Sequence, residues 1–476
     1  MTRHAPLALA LVLSACSAPM AGPARPGSIE EDTGTVEEPP PPDAAVRKDT
    51  APAPTPAPDA GVKPDPETPA DAAPPVPGPD AGTPADARPP GAGCTSAGGK
   101  KLGPPTAAEL KLVDDQYKAA PYVPAGTNMG NNFAYGTAGK RLGEMRTMFS
   151  LTADVWYLDQ AIKFADHMLA MRNDPMTGRV LWTGKREPCW PNNAETAPDA
   201  GVCGMETGAV ANQILQTAKI IFSNKPLWAK PVGGGDPHAY GATYEKRART
   251  YLAEASKSID WMVATFVDRT RNNEMHTPKD PAYGALGPNY LKALGRSIPW
   301  NQQEMLSSPL ANIGDILIGL NEDPARVTAN DVIVKASLDW FISVLEANKY
   351  MSNGVTVYLW GYNPGDLVHV EDLAHASADI NALYNAYKRG RYGIARDLLV
   401  PIANTFFEKV IKPDGTYATH ITGKGTRAAI SASWTNYEEF RAGIVARLVP
   451  DLTVDAMTPL PDAVTRLNLR RKFCGQ

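Results

Sequence analysis

The stretch 138–171, AGKRLGEMRTMFSLTADVWYLDQAIKFADHMLAM, decides the fold. Leu142, Met145, Met148 and Phe149 recur at helical spacing. Thr152-Ala153-Asp154 then breaks the pattern, and Tyr157, Leu158, Ile162, Ala165, Met168 and Leu169 form a second apolar stripe. Two amphipathic helices joined by so short a break make a hairpin, which must stack on neighbours to bury its inner face. The layout recurs. Helices are predicted over 206–222 and 244–266, over 301–320 and 328–345, and over 372–389 and 394–410, with 436–448 as the last core helix. Thr328-Ala329-Asn330-Asp331 reads as a capping box with Asp in place of Glu or Gln. Only 355–362 reads as a strand. Stacked hairpins predict an all-α solenoid or (α/α) toroid. The long connection 267–299 favours a toroid or incomplete barrel of helical hairpins, with one short strand or hairpin near the cavity mouth.

Proline divides the chain. Of 45 prolines in 476 residues, 21 fall between Ser17 and Lys100, and no Phe, Trp or Tyr precedes Tyr117. A segment so poor in apolar bulk cannot offset its chain entropy, so residues 17–104 read as a Pro/Ala/Asp-rich disordered tether. Residues 105–476 then form one catalytic-type domain. The tether holds 13 acidic and 6 basic residues to Lys100, which accounts for the net charge of −4 and leaves the domain close to neutral. No dense Lys/Arg run occurs, which argues against a nucleic-acid partner.

Residues 1–16 have the charged, apolar and small-residue regions of a secretory signal. Leu13-Ser14-Ala15-Cys16 resembles the bacterial lipobox, which implies lipidation of Cys16 and a membrane contact through that anchor alone. Ser17 after the cysteine favours the outer membrane or cell surface. Cys94, Cys189, Cys203 and Cys474 remain, with three possible pairings. Cys189 with Cys203, closing a Pro/Gly/Asn loop, and Cys94 with Cys474, tying the ends, is the expected one. A monomer is expected.

Candidate chemistry gathers where helices begin. On a helix, Glu371 and Asp379 flank His375 at i−4 and i+4, where a carboxylate orients the ring and raises its pKa. Glu371, Asp372 and His375 also form an incomplete metal-ligand set, so no cofactor is predicted but a divalent cation stays open. Tyr358, Trp360 and Tyr362 alternate along the strand and share a face. Pro299-Trp300-Asn301-Gln302-Gln303 opens a helix with amides, Asn128, Asn131, Asn132 and Tyr135 precede the first hairpin, and Trp434-Thr435-Asn436 opens the last helix. Glu206 starts another. No GxSxG elbow, P-loop, HExxH or dinucleotide fingerprint occurs, which sets aside serine hydrolases, NTPases, zincins and dehydrogenases.

Pro299-Trp300-Asn301-Gln302, Tyr358-Leu359-Trp360-Gly361-Tyr362, Glu371-Asp372-Leu373-Ala374-His375 and Leu383-Tyr384-Asn385-Ala386-Tyr387-Lys388-Arg389-Gly390 follow one another in an order that resembles the (α/α)-toroid polysaccharide lyases acting on alginate and glucuronan. The Asn-Asn-His signature of one alginate-lyase branch is absent; Asn131-Asn132-Phe133 stands at a comparable place. The resemblance implies β-elimination on an acidic polysaccharide. Asn301, Gln302 and Arg427 would neutralise the uronate carboxylate, His375 act as base or orient it, and Tyr358 or Tyr362 act as acid, or as acid and base together. Trp360, Glu371, Glu206, Asn132, Tyr135 and Trp434 would bind substrate. A glycoside hydrolase on the same fold, using two carboxyls, and a non-catalytic glycan-binding lipoprotein are the alternatives.

Overall fold

The computed structural model describes residues 94, 96, 98–124, 130–176, 179–191 and 202–474, without the side chains of 131, 132, 175 and 176. Cys16 and Asn128 lie outside these residues, as does the side chain of Asn132.

Fifteen helices follow one another among the described residues: α1 (Ala107–Ala119), α2 (Gly130–Ala134), α3 (Thr137–Thr152), α4 (Val155–Ala170), α5 (Asn173–Met176), α6 (Glu206–Phe222), α7 (Tyr244–Phe266), α8 (Pro281–Gly284), α9 (Pro288–Ala293), α10 (Trp300–Leu320), α11 (Pro324–Ala347), α12 (Leu373–Arg389), α13 (Arg396–Thr405), α14 (Ile444–Leu448) and α15 (Leu460–Phe473). Helices α3 and α4, α6 and α7, α10 and α11, and α12 and α13 pair as hairpins. The first member of each packs on the first member of the next, so α3, α6, α10 and α12 follow one another around an axis, and α12 leans on a 3-10 stretch, Ala432–Glu439. Helix α15 packs back on α3 and α1. The result is an all-α (α/α) toroid, with α4, α7 and α11 behind the inner helices. Among the described residues no helix is long and apolar enough to cross a membrane.

Local chemistry sets the corners. In the first hairpin Ala153 takes the left-handed conformation that ends α3, and the Asp154 side chain accepts the Trp156 N–H to start α4. Helices α6 and α10 approach closely because residue 208 is glycine: a Cβ there would lie 2.0 Å from the Met305 carbonyl oxygen. That approach brings the starts of the two inner helices together.

Several elements depart from the sequence expectation. Helix α11 starts at Pro324 with Asp323 as its cap, and Thr328 is an interior residue whose hydroxyl donates to the Pro324 carbonyl. The expected final helix over 436–448 is broken: the 3-10 stretch ends at Glu439, Gly443 adopts φ 102°, and α14 begins after it. Helix α15 had no expectation. The strand is shorter, β4 at Val355–Tyr358, and has an antiparallel partner, β3 at Lys349–Ser352. Its turn, Asn353-Gly354, has positive φ at both residues, the hairpin signal that Asn-Gly carries. A second small pair, β1 (Val267–Asp268) and β2 (Glu274–Met275), lies in the long connection before α10. The disulfides Cys189–Cys203 and Cys94–Cys474 are those expected.

Candidate functional site

After β4 the chain turns back on itself and delivers the site residues. Tyr362 donates its N–H to the His369 carbonyl (2.9 Å), and its own carbonyl accepts the Trp300 N–H (3.3 Å), which ties this segment to the start of α10. Gly361 allows the fold-back, because a Cβ there would collide with the Asp366 carbonyl at 1.4 Å. The Glu371 N–H then reaches the Trp360 carbonyl (3.1 Å), and Asp372 caps α12 by accepting the N–H groups of Ala374 (2.7 Å) and His375 (3.2 Å).

The cap places an imidazole among carboxyls. His375 Nδ1 lies 2.6 Å from Asp372 Oδ2 and 3.7 Å from Glu371 Oε1, and the Tyr362 ring stands 5.1 Å from the His375 ring. Burial works against charge on His375, but Asp372 outweighs it and raises the pKa of the ring. Asp372 is itself drawn down, since the ring and two backbone donors overcome its burial. Glu371 has no exposure, and burial together with the negative charges of Asp379 and Asp372 lifts it well above the carboxylate range. Burial raises Asp379 to about 7, although the Trp360 indole donates to its Oδ2 at 3.0 Å.

A cavity of about 230 Å³ opens along the axis between the inner helices. Its wall includes Tyr135, Asn212, Gln213, Glu304, Ser308, Ser377, Asn381, Ser431 and Ser433. Among the described residues Glu304 is the one carboxyl on that wall. Ser308 donates to its Oε1 at 2.6 Å, and the surrounding protein pushes its pKa up to about 7. Its side chain keeps partial exposure only because it faces the hollow. On the α6 side, Arg146 spends donors on the Gln213 carbonyl (2.8 Å) and on Gln213 Oε1 (2.6 Å). Among the described residues no Lys or Arg lines the cavity. A slightly larger hollow, about 260 Å³, lies beside α4 and the 232–238 loop. There Asp166 is committed to Arg247 and to the Tyr251 hydroxyl (2.6 Å), so its charges serve one another rather than open space. The axial cavity carries the chemistry.

The expected site residues separate into two groups. Tyr362, His375 and Glu371 come together, Asn301 adjoins them through the Trp300–Tyr362 bond, and Glu206 at the start of α6 is near enough for its charge to act on Tyr362. Tyr135 lines the cavity, and Gln302 sits half-buried in the first turn of α10. Tyr358 points elsewhere: it is buried and its hydroxyl donates to Glu346 of α11. Trp360 is a core side chain beneath Asp379, and Trp434 is fully buried between Phe406 and Tyr437. Arg427 is half-buried in a hairpin, paired through its backbone with Tyr417 (2.8 and 3.0 Å). Glu304 was not among the sequence candidates. Its signal is the stripe Asn301, Glu304, Ser308, Asn312 and Asp315, polar residues at helical spacing on a helix otherwise rich in Leu and Ile.

No family model matches the chain, and no curated protein matches it. Among solved structures it is similar to a glycosyl hydrolase family 88 protein from Bacteroides vulgatus, with 10% identity over 72% of this chain and 97% of that one, at a TM-score of 0.34. A superposition that loose assigns no residue of the site.

Proposed function

We propose that the protein is a glycoside hydrolase that cuts a glycan in the axial cavity, with Glu304 as the proton donor to the leaving oxygen. The observation that carries this reading is a carboxyl with a pKa of about 7 on a wall of amides and hydroxyls, groups suited to sugar hydroxyls. Hydrolysis also needs a second carboxyl. Asp372, the partly exposed carboxyl beside His375, is the candidate for it, and the charge of Glu304 acts on Asp379 behind that group. β-Elimination, by contrast, requires the uronate carboxylate to be neutralised. Among the described residues the cavity wall carries one carboxyl, Glu304, and no Lys or Arg to meet a uronate, which favours hydrolysis of a neutral glycan over cleavage of an acidic one. The contact of Tyr362 with His375 is what favours a lyase as the second reading, with tyrosine and imidazole exchanging the proton. The lipobox and tether fit an exported, lipid-anchored enzyme at the cell surface.

Full-length protein incubated with neutral glycans, alginate and glucuronan tests the reading. Reducing ends without ultraviolet absorbance of a C4–C5 double bond are expected, and Glu304→Gln should lower the rate by about 10²–10⁴-fold. Unsaturated products, or full activity in Glu304→Gln, would overturn it.

A further inference from the structure

Glu371, Asp372 and His375 each offer a ligand atom, and these atoms lie within 4.8 Å of one another. The helix cap fixes their spacing. Asp372 Oδ1 is held by the Ala374 and His375 N–H groups, which leaves Oδ2 turned toward the ring. The 2.6 Å approach of Oδ2 to the buried His375 Nδ1 lies off the direction of an N–H···O bond, so the two are held by charge rather than by a linear hydrogen bond. Glu371 Oε1, the oxygen nearer the ring, accepts the Asp372 N–H at 3.0 Å, while Oε2 is buried with no donor beside it, on a side chain with no exposure. Buried polar atoms are seldom left in this way. Here two carboxyl oxygens, Glu371 Oε2 and Asp379 Oδ1, are left so beside a buried imidazole–carboxylate pair.

The separations fit a shared ion. Ligand atoms bound at about 2.0–2.2 Å to one ion lie about 3.0–3.5 Å apart. The contacts of 2.6 Å and 3.7 Å from Nδ1 bracket that spacing, and all three ligand atoms lie within 4.8 Å of one another. We propose that Glu371, Asp372 and His375 bind one divalent transition-metal ion. Asp379 stands behind Glu371, held from its other side by the Trp360 indole, as the outer partner that ligating carboxylates need. Carboxylates with one imidazole suit Mn²⁺ or Zn²⁺ better than Ca²⁺ or Mg²⁺. Three protein ligands leave at least one position for water. The site does not depend on the role given to Glu304, and its test reads binding alone.

Full-length protein stripped with EDTA is titrated calorimetrically with MnCl₂ and, separately, with ZnCl₂. One equivalent per chain is expected. Glu371→Gln and His375→Ala should each weaken binding by about tenfold or more, and Asp379→Asn by about 10–100-fold. Asp339→Asn, on the exposed face of α11, should leave it unchanged. In the wild type, spin-echo modulation of bound Mn²⁺ should show one imidazole nitrogen, a readout that needs no variant to fold. Absence of saturable binding, absence of the nitrogen signal, or equal binding by Glu371→Gln and His375→Ala would each overturn the proposal. A Glu371–Asp379 pair that merely shares a proton gives the first of these results.

Discussion

Glu304 differs from the other carboxyls of the site because it faces open space while its surroundings raise its pKa to about 7, from 4.5. Two pH effects follow. As a proton donor it is lost by ionisation, so the rate should fall above about pH 7, roughly tenfold per unit. For stability the sign runs the same way. Between pH 4.5 and 7 the folded chain keeps a proton that the unfolded chain releases, so this contribution is present at low pH and is lost as pH rises toward 7. Glu304→Gln should therefore show a flatter dependence of unfolding free energy on pH, measured by urea titration at several pH values. Asp379 keeps part of the slope in the variant, because its pKa is raised in the same direction. The sequence made His375 and its acids legible, since one helical turn fixes their neighbourhood. It could not separate Tyr362 from Tyr358 or place Trp434, because an aromatic side chain reads the same over a cleft or in a core. The deciding partners, Glu346, Phe406 and Tyr437, come from other elements.

Among the elements, two helical glycines make a controlled comparison. Gly143 lies inside α3 with nothing near the position a Cβ would take, so Gly143→Ala should stabilise by about 0.4–1 kcal/mol through the unfolded chain. Gly208 meets backbone, which cannot move aside alone. Gly208→Ala should therefore cost about 1–3 kcal/mol and separate α6 from α10, with thermal denaturation reading both variants. If Gly208→Ala were neutral, the close packing of the inner helices would be wrong. The hairpins were legible at this scale because apolar periodicity survives in any context. The breaks were not. Gly443 interrupts the last expected helix with a conformation that glycine permits but does not impose, and the β3–β4 turn was announced by Asn353-Gly354 within a stretch whose first strand, 349–352, is largely exposed and lacks an apolar pattern.

For the whole molecule, the ends of the described chain are held twice. Cys94 is bonded to Cys474 across a separation of 380 residues. Arg470 of α15 donates to the Gly103 and Pro104 carbonyls at 2.9 Å and pairs with Glu109 in α1. Replacing both Cys94 and Cys474 by Ser should lower stability by about 2–5 kcal/mol in urea unfolding, with Arg470 still docking α15 at low denaturant. The pairing was legible from cysteine count and position; the arginine clamp was not, because its acceptors are backbone carbonyls without a sequence signature.

That disulfide also makes residues 94–474 a covalently closed loop. A protease that cuts once in any surface connection, such as the one between β1 and α10, opens the loop without releasing a fragment. The nicked protein keeps its mass on a non-reducing gel and divides in two only when a thiol is added. With both inner and outer helices still packed around the axis, a single nick far from the 360–375 segment leaves the cavity wall assembled, so damage by a protease becomes an internal break rather than a loss of parts.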